Sequence, residues 1–129
     1  MAMKTVLAIG IDPAFVDVSR FSGLTSDLVR NYVDAELQRL RDDGYEVVPC
    51  LIDLGTTAEQ MAAAALASRR FDCVMIGASL RQSPEHLLLF EKILNLVHRL
   101  APTACISFNT SPADTVAAVR RWVQPGGPK

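Results

Sequence analysis

Two kinds of apolar pattern alternate along the chain. Val6-Leu7-Ala8-Ile9-Gly10-Ile11 is an unbroken apolar run stopped by Asp12-Pro13, which is how a strand buried on both faces reads. Similar short runs recur further on, predicting four strands over 5–11, 45–53, 71–77 and 103–108. Helical periodicity fills the intervals. Leu28, Val29, Tyr32, Val33, Leu37 and Leu40 recur at three and four residues; Thr25 or Ser26 supplies the N-terminal cap, Asp27 sits in the first turn and Gly44 ends the helix. Thr56 and Glu59 have the spacing of a capping box for an alanine-rich second helix reaching residue 68. Ser83-Pro84-Glu85 opens a third helix that runs to residue 100, and Ser111-Pro112-Ala113-Asp114 opens a fourth through Val116, Val119 and Trp122. The segment from Ala14 to Gly23 has no sustained period and reads as a loop, with Phe15 and Phe21 as its apolar anchors.

The order is therefore βαβαβαβα, without the Asn-Gly type of signal that marks a hairpin. Strands separated by helices need crossover connections, and right-handed crossovers place helices on both faces of a parallel sheet. The fold class is α/β, a three-layer α/β/α doubly wound parallel sheet of four strands. Pro49 lacks a ladder donor and places the second strand at an edge, which selects the strand order 2-1-3-4. In architecture this resembles the flavodoxin-like fold truncated by its last strand, over roughly residues 4–122. The expected layout is a single domain over 1–122 followed by a flexible C-terminal tail over 123–129, where Pro125-Gly126-Gly127-Pro128 offers little to pack.

Composition narrows the partners. The 129 residues suit one domain, and a net charge of −1 with both signs dispersed provides no basic field for a phosphate backbone, so nucleic acid is excluded as a partner. No apolar stretch approaches the roughly eighteen residues of a membrane span. The opening residues read as a strand instead of a signal peptide, and a cytoplasmic location is expected. Cys50, Cys73 and Cys105 each lie in a strand-like run and read as buried thiols. The third helix has more apolar residues than one stripe requires. This surplus, together with a low net charge, predicts a homo-oligomer with an interface drawn from Leu89, Phe90, Ile93, Leu96 and Val97.

In doubly wound sheets ligands bind beyond the carboxyl ends of the strands, where the strand order reverses. For the order 2-1-3-4 that crevice lies between the first and third strands. The residues expected there are Gly10, Asp12, Gly77, Ala78 and Ser79, with Asn109, Thr110 and Ser111 arriving from the fourth strand. Asp12 is the candidate catalytic group, able to take up a proton or position a hydroxyl, or simply to accept amides in the turn with Pro13. His86, in the first turn of the third helix, is a candidate general base whose neutral form the helix end favours. The architecture also resembles that of receiver domains, but Gly77 stands where their phosphate acceptor belongs and no matching lysine is present, so phosphotransfer is rejected. Neither a dinucleotide glycine motif, a Walker lysine, a nucleophile elbow nor a Cys-x-x-Cys pair occurs, and no cofactor or metal is expected.

What remains is residues 77–83, small at first, then Arg81, then a free helix N-terminus, a pattern suited to a small anionic ligand carrying phosphate or carboxylate. Three functions are compatible with these residues. The first is a small-molecule-binding domain with its site at the strand ends. The others are a small enzyme using Asp12 with the polar residues after the fourth strand, and an oligomeric interaction module working through the third helix.

Overall fold

A computed structural model describes residues 3–16 and 23–125 of the chain. β1 (Lys4–Ile11), β2 (Tyr45–Ile52), β3 (Cys73–Ile76) and β4 (Cys105–Phe108) form one all-parallel sheet in the order β2-β1-β3-β4, as the alternation of strands and helices predicts. β1 is central. It pairs along its whole length with β2, from Lys4 opposite Tyr45 to Ile11 opposite Ile52, and over Val6 to Ile9 with β3. Ile52 presents its carbonyl to Asp12 N on the β1 side, so by alternation Pro49 turns its nitrogen outward, where no ladder hydrogen bond is lost. Asp72 ties the opposite edge together: its carboxylate accepts from Thr5 N at 2.8 Å, and its carbonyl accepts from Cys105 N at 3.0 Å.

The helices are α1 (Ser26–Asp42), α2 (Ala58–Ser68), α3 (Ala78–Gln82), α4 (Leu87–Leu100) and α5 (Thr115–Arg120). Because side chains alternate along a strand, β1 sends Leu7, Ile9 and Ile11 to one face and Val6 and Ala8 to the other. The first set packs with Ala58, Ala62 and Leu66 of α2 and with Ile93, Leu96 and Val97 of α4. The second meets Leu37 and Leu40 of α1 and Val119 at the end of the chain's last helix. Three layers result. Tyr45 is fully buried on this second face and donates its hydroxyl to the Val123 carbonyl; Val123 is itself buried, one residue past the expected end of the packed chain. Arg120 Nε, 2.6 Å from Asp43 Oδ2, joins α5 to the C-terminal end of α1.

The caps of α1 and of the last helix form as the sequence predicts. Thr25 accepts from Leu28 N, and Ser111 with Asp114 makes a reciprocal box around a 3₁₀ turn at Pro112–Asp114. The box at Thr56 and Glu59 does not form. Thr57 is the residue before α2, its backbone already helical, and its hydroxyl is given to Asp53; Glu59 reaches across to Lys92 of α4 at 3.2 Å. The predicted third helix begins later than its cap signal, and an unpredicted short helix precedes it. α3 begins directly after β3, carried by the buried Leu80, and then breaks at Ser83, which is extended because it precedes Pro84. Pro84–His86 is a 3₁₀ turn and α4 starts only at Leu87; Ser83 stands at the head of that turn without a side-chain cap bond, its hydroxyl donating to Glu85 at 2.9 Å.

The apolar surplus of α4 is largely internal. Ile93, Leu96 and Val97 belong to the chain's own core, with Leu89 and Phe90 partly buried against it; the exposed members are Leu87, Leu88 and Leu100. Phe15 is exposed, and Phe21 lies outside the described residues, as does the end of the expected tail. Among the described residues no helix is long and apolar enough to cross a membrane.

Candidate functional site

On the α1 face of the sheet β1 loses side-chain bulk step by step toward its carboxyl end, and both β1 and β3 finish at a glycine. Along β1 the inward positions are Val6, Ala8 and then Gly10; along β3 and just beyond it they are Cys73, Met75 and then Gly77. α1 does not follow the retreating surface, because Leu37 and Leu40 hold its C-terminal half against the wider part of the sheet. A cavity of about 450 Å³ is left between the N-terminal half of α1 and the strand ends. Ala8, Gly10, Met75 and Gly77 line its sheet side, Val29, Tyr32, Val33 and Glu36 its helix side. A Cβ built on Gly10 meets nothing within 4 Å, so that position opens directly onto the space.

Of the residues expected at the crevice, the structure brings Gly10, Gly77, Ala78, Ser79 and Asn109 to this cavity. Asn109 is committed within the fold: its Oδ1 accepts from Ala78 N at 2.8 Å and its Nδ2 donates to Thr115 Oγ1 at 3.0 Å, whose own proton goes to the Pro112 carbonyl at 2.7 Å. This buried chain of bonds fixes the floor where β3 and β4 end. Thr110 and Ser111 are outside the lining. Both give their amides to Asp114, at 2.9 and 3.2 Å. Burial works against the Asp114 carboxylate, but the Thr110 hydroxyl and these amides outweigh it and hold its pKa below the usual carboxylate range.

Arg81 is likewise engaged. Its guanidinium donates to the Asn109 carbonyl and lies over the Phe108 ring, 5.3 Å from the centroid. The segment that the sequence suggests as an open anion-binding loop is therefore a short helix whose cation braces β4, and Ser83 does not begin a helix.

Asp12 stands at the rim, outside the cavity lining. It accepts from Ala14 N at 2.9 Å and from Arg30 Nη2 at 2.7 Å, and this amide and guanidinium keep its carboxyl below its ordinary pKa. A carboxylate held in this way is a weak proton acceptor near neutral pH. His86 lies elsewhere. With Phe15, Leu54, Ser79, Gln82 and Pro84 it borders a broader groove on the α4 side of the same edge, its Nδ1 3.3 Å from the Ser79 carbonyl. The two candidate catalytic residues thus share no wall. Cys73, buried beside Ser107, has its thiol pushed up to about 11 by burial, against the Ser107 hydrogen bond, which leaves it un-ionised and unreactive near neutral pH. Among the described residues no cluster of three metal-ligating side chains occurs.

The cavity residue that reading the chain for motifs passes over is Glu36. It falls on the inner stripe of α1, three residues after Val33 and four before Leu40, where apolar residues otherwise recur. Its side chain is 10% exposed, and its carboxylate oxygens both lie 3.4 Å from Nη1 of the exposed Arg39. A carboxylate inside an apolar stripe was the available signal. Compared with models of known protein families and with curated protein sequences, the chain matches none of them.

Proposed function

We propose that this chain is a small-molecule-binding domain whose ligand, largely apolar, occupies the space between α1 and the carboxyl ends of β1 and β3. The observation that carries the reading is the taper from Val6 through Ala8 to Gly10 beneath α1, which leaves about 450 Å³ among mostly apolar side chains. That volume lies in the range of small-molecule sites, and its place at the reversal of strand order is where such sheets bind ligands. The ligand class departs from the anion suggested by sequence alone, because Arg81 lies outside the cavity lining, held by the Asn109 carbonyl and over the Phe108 ring.

The test is an NMR titration of the ¹⁵N-labelled protein with cyclohexylmethanol, an uncharged molecule of suitable shape. Shifts concentrated at Gly10, Val33, Met75 and Gly77, and lost in Gly10→Val, are expected. Shifts elsewhere, or unchanged binding by Gly10→Val, would refute the reading.

A second reading, self-association through the start of α4, is favoured by Leu87 and Leu88, which are 58% and 64% exposed next to each other. Light scattering checks it: a dimer that Leu88→Glu converts to a monomer supports it, and a wild-type monomer at high concentration rejects it.

A further inference from the structure

We infer that the cavity selects organic cations, with an apolar body among Val29, Val33 and Met75 and a protonated amine paired with Glu36; this rests on the reading of that space as a ligand site. Among the described residues, Glu36 is the one charged side chain lining it. Its position on the inner stripe of α1 is one where an apolar side chain would pack without the desolvation that a carboxylate suffers. Among the described residues it is poorly compensated: Arg39 is the cation within reach, its side chain is 65% exposed, and one nitrogen, Nη1, stands 3.4 Å from both oxygens, beyond the roughly 2.7–2.9 Å of a well-made charged hydrogen bond. A carboxylate has about four lone-pair sites, so Glu36 retains acceptor capacity toward the cavity.

The surrounding groups favour the same sign of charge. Tyr32 precedes Glu36 by one helical turn and also lines the cavity, so its ring can face a cation held there. The two nearby guanidiniums that would attract an anion lie outside the lining: Arg30 pairs with Asp12 at 2.7 Å, and Arg81 is held against the Asn109 carbonyl. A metal ion is a poor alternative occupant, since hard divalent cations need several oxygen ligands and no cluster of three acidic, histidine or cysteine side chains is present among the described residues.

Calorimetric titration of the full chain at pH 7 with three probes of one shape tests this: cyclohexylmethylamine, cyclohexylmethanol and cyclohexanecarboxylate. The amine should bind roughly tenfold or more tightly than the alcohol, and the carboxylate most weakly. Glu36→Gln should abolish the amine's advantage over the alcohol, and Arg39→Gln, which frees Glu36 from its competitor, should enlarge it. Equal affinities of amine and alcohol in the wild type, with both lost in Gly10→Val, would overturn the cation selectivity and leave the cavity reading intact. Tighter binding of the carboxylate, or amine binding unaffected by Gly10→Val, would also overturn it. Failure of all three probes to bind would remove the cavity reading and this inference together. The wild-type comparison decides the matter even if Glu36→Gln does not fold.

Discussion

The two faces of β1 are made from one run of eight residues and end differently. On the α4 side Leu7, Ile9 and Ile11 keep their bulk to the end of the strand and meet Leu80 and Ile93, all buried. On the α1 side Val6, Ala8 and Gly10 lose it step by step, and a cavity opens beneath α1. A buried strand reads as featureless in sequence because both faces are apolar. What separates the two faces is the difference in size between odd and even positions.

That contrast can be tested most severely by removing bulk from the filled face. Ile9→Ala should destabilise the protein by about 2–5 kcal/mol in urea unfolding, since it leaves a void among fixed neighbours. The bonds that frame the hollow side come next: Asn109→Ala strands the Ala78 amide and should cost about 1–3 kcal/mol by the same measurement. Gly10→Val adds volume where space exists, on a strand residue without positive φ, and should alter stability by less than about 1 kcal/mol. A loss from Gly10→Val as large as that from Ile9→Ala would mean that the α1 side is as closely packed as the other.

The smallest effect belongs to the rim. Arg30→Met should cost at most about 1 kcal/mol, as expected of a pair with partly exposed side chains. Its pH dependence has a definite sign. Asp12 has a lowered pKa in the folded protein, so its contribution is complete above about pH 4 and fades as the pH falls through the depressed value. Thermal melts of wild type and Arg30→Met should therefore converge in acid; a difference that grows on acidification would contradict the pairing.

The strand order was legible because Pro49 needs an edge and the absence of hairpin signals demands parallel crossovers. The position of α3 was not. Ser83-Pro84-Glu85 carries the usual marks of a helix start, and only the burial of Leu80 against β1 and α4 explains why a helix forms before it. The site was legible in part. Gly10, Gly77 and Ser79 follow from topology, since any ligand at the strand ends lies near them. Glu36 lies about three turns into a helix; the periodicity places it on the inner stripe, but that this stripe stands over a cavity there depends on how Leu37 and Leu40 hold α1 against the sheet. Asp12 and Arg81 drew attention as charged residues near the edge, whereas in the folded chain each is held by a partner, Arg30 and Asn109.

A crystal structure of the protein soaked in cyclohexylmethylamine would test the central claim most directly. The account predicts density for the ring between Gly10, Val33 and Met75, with the amine at hydrogen-bonding distance from Glu36. Density in the groove beside Phe15 and His86 instead, or a closed space under α1 with none, would contradict it.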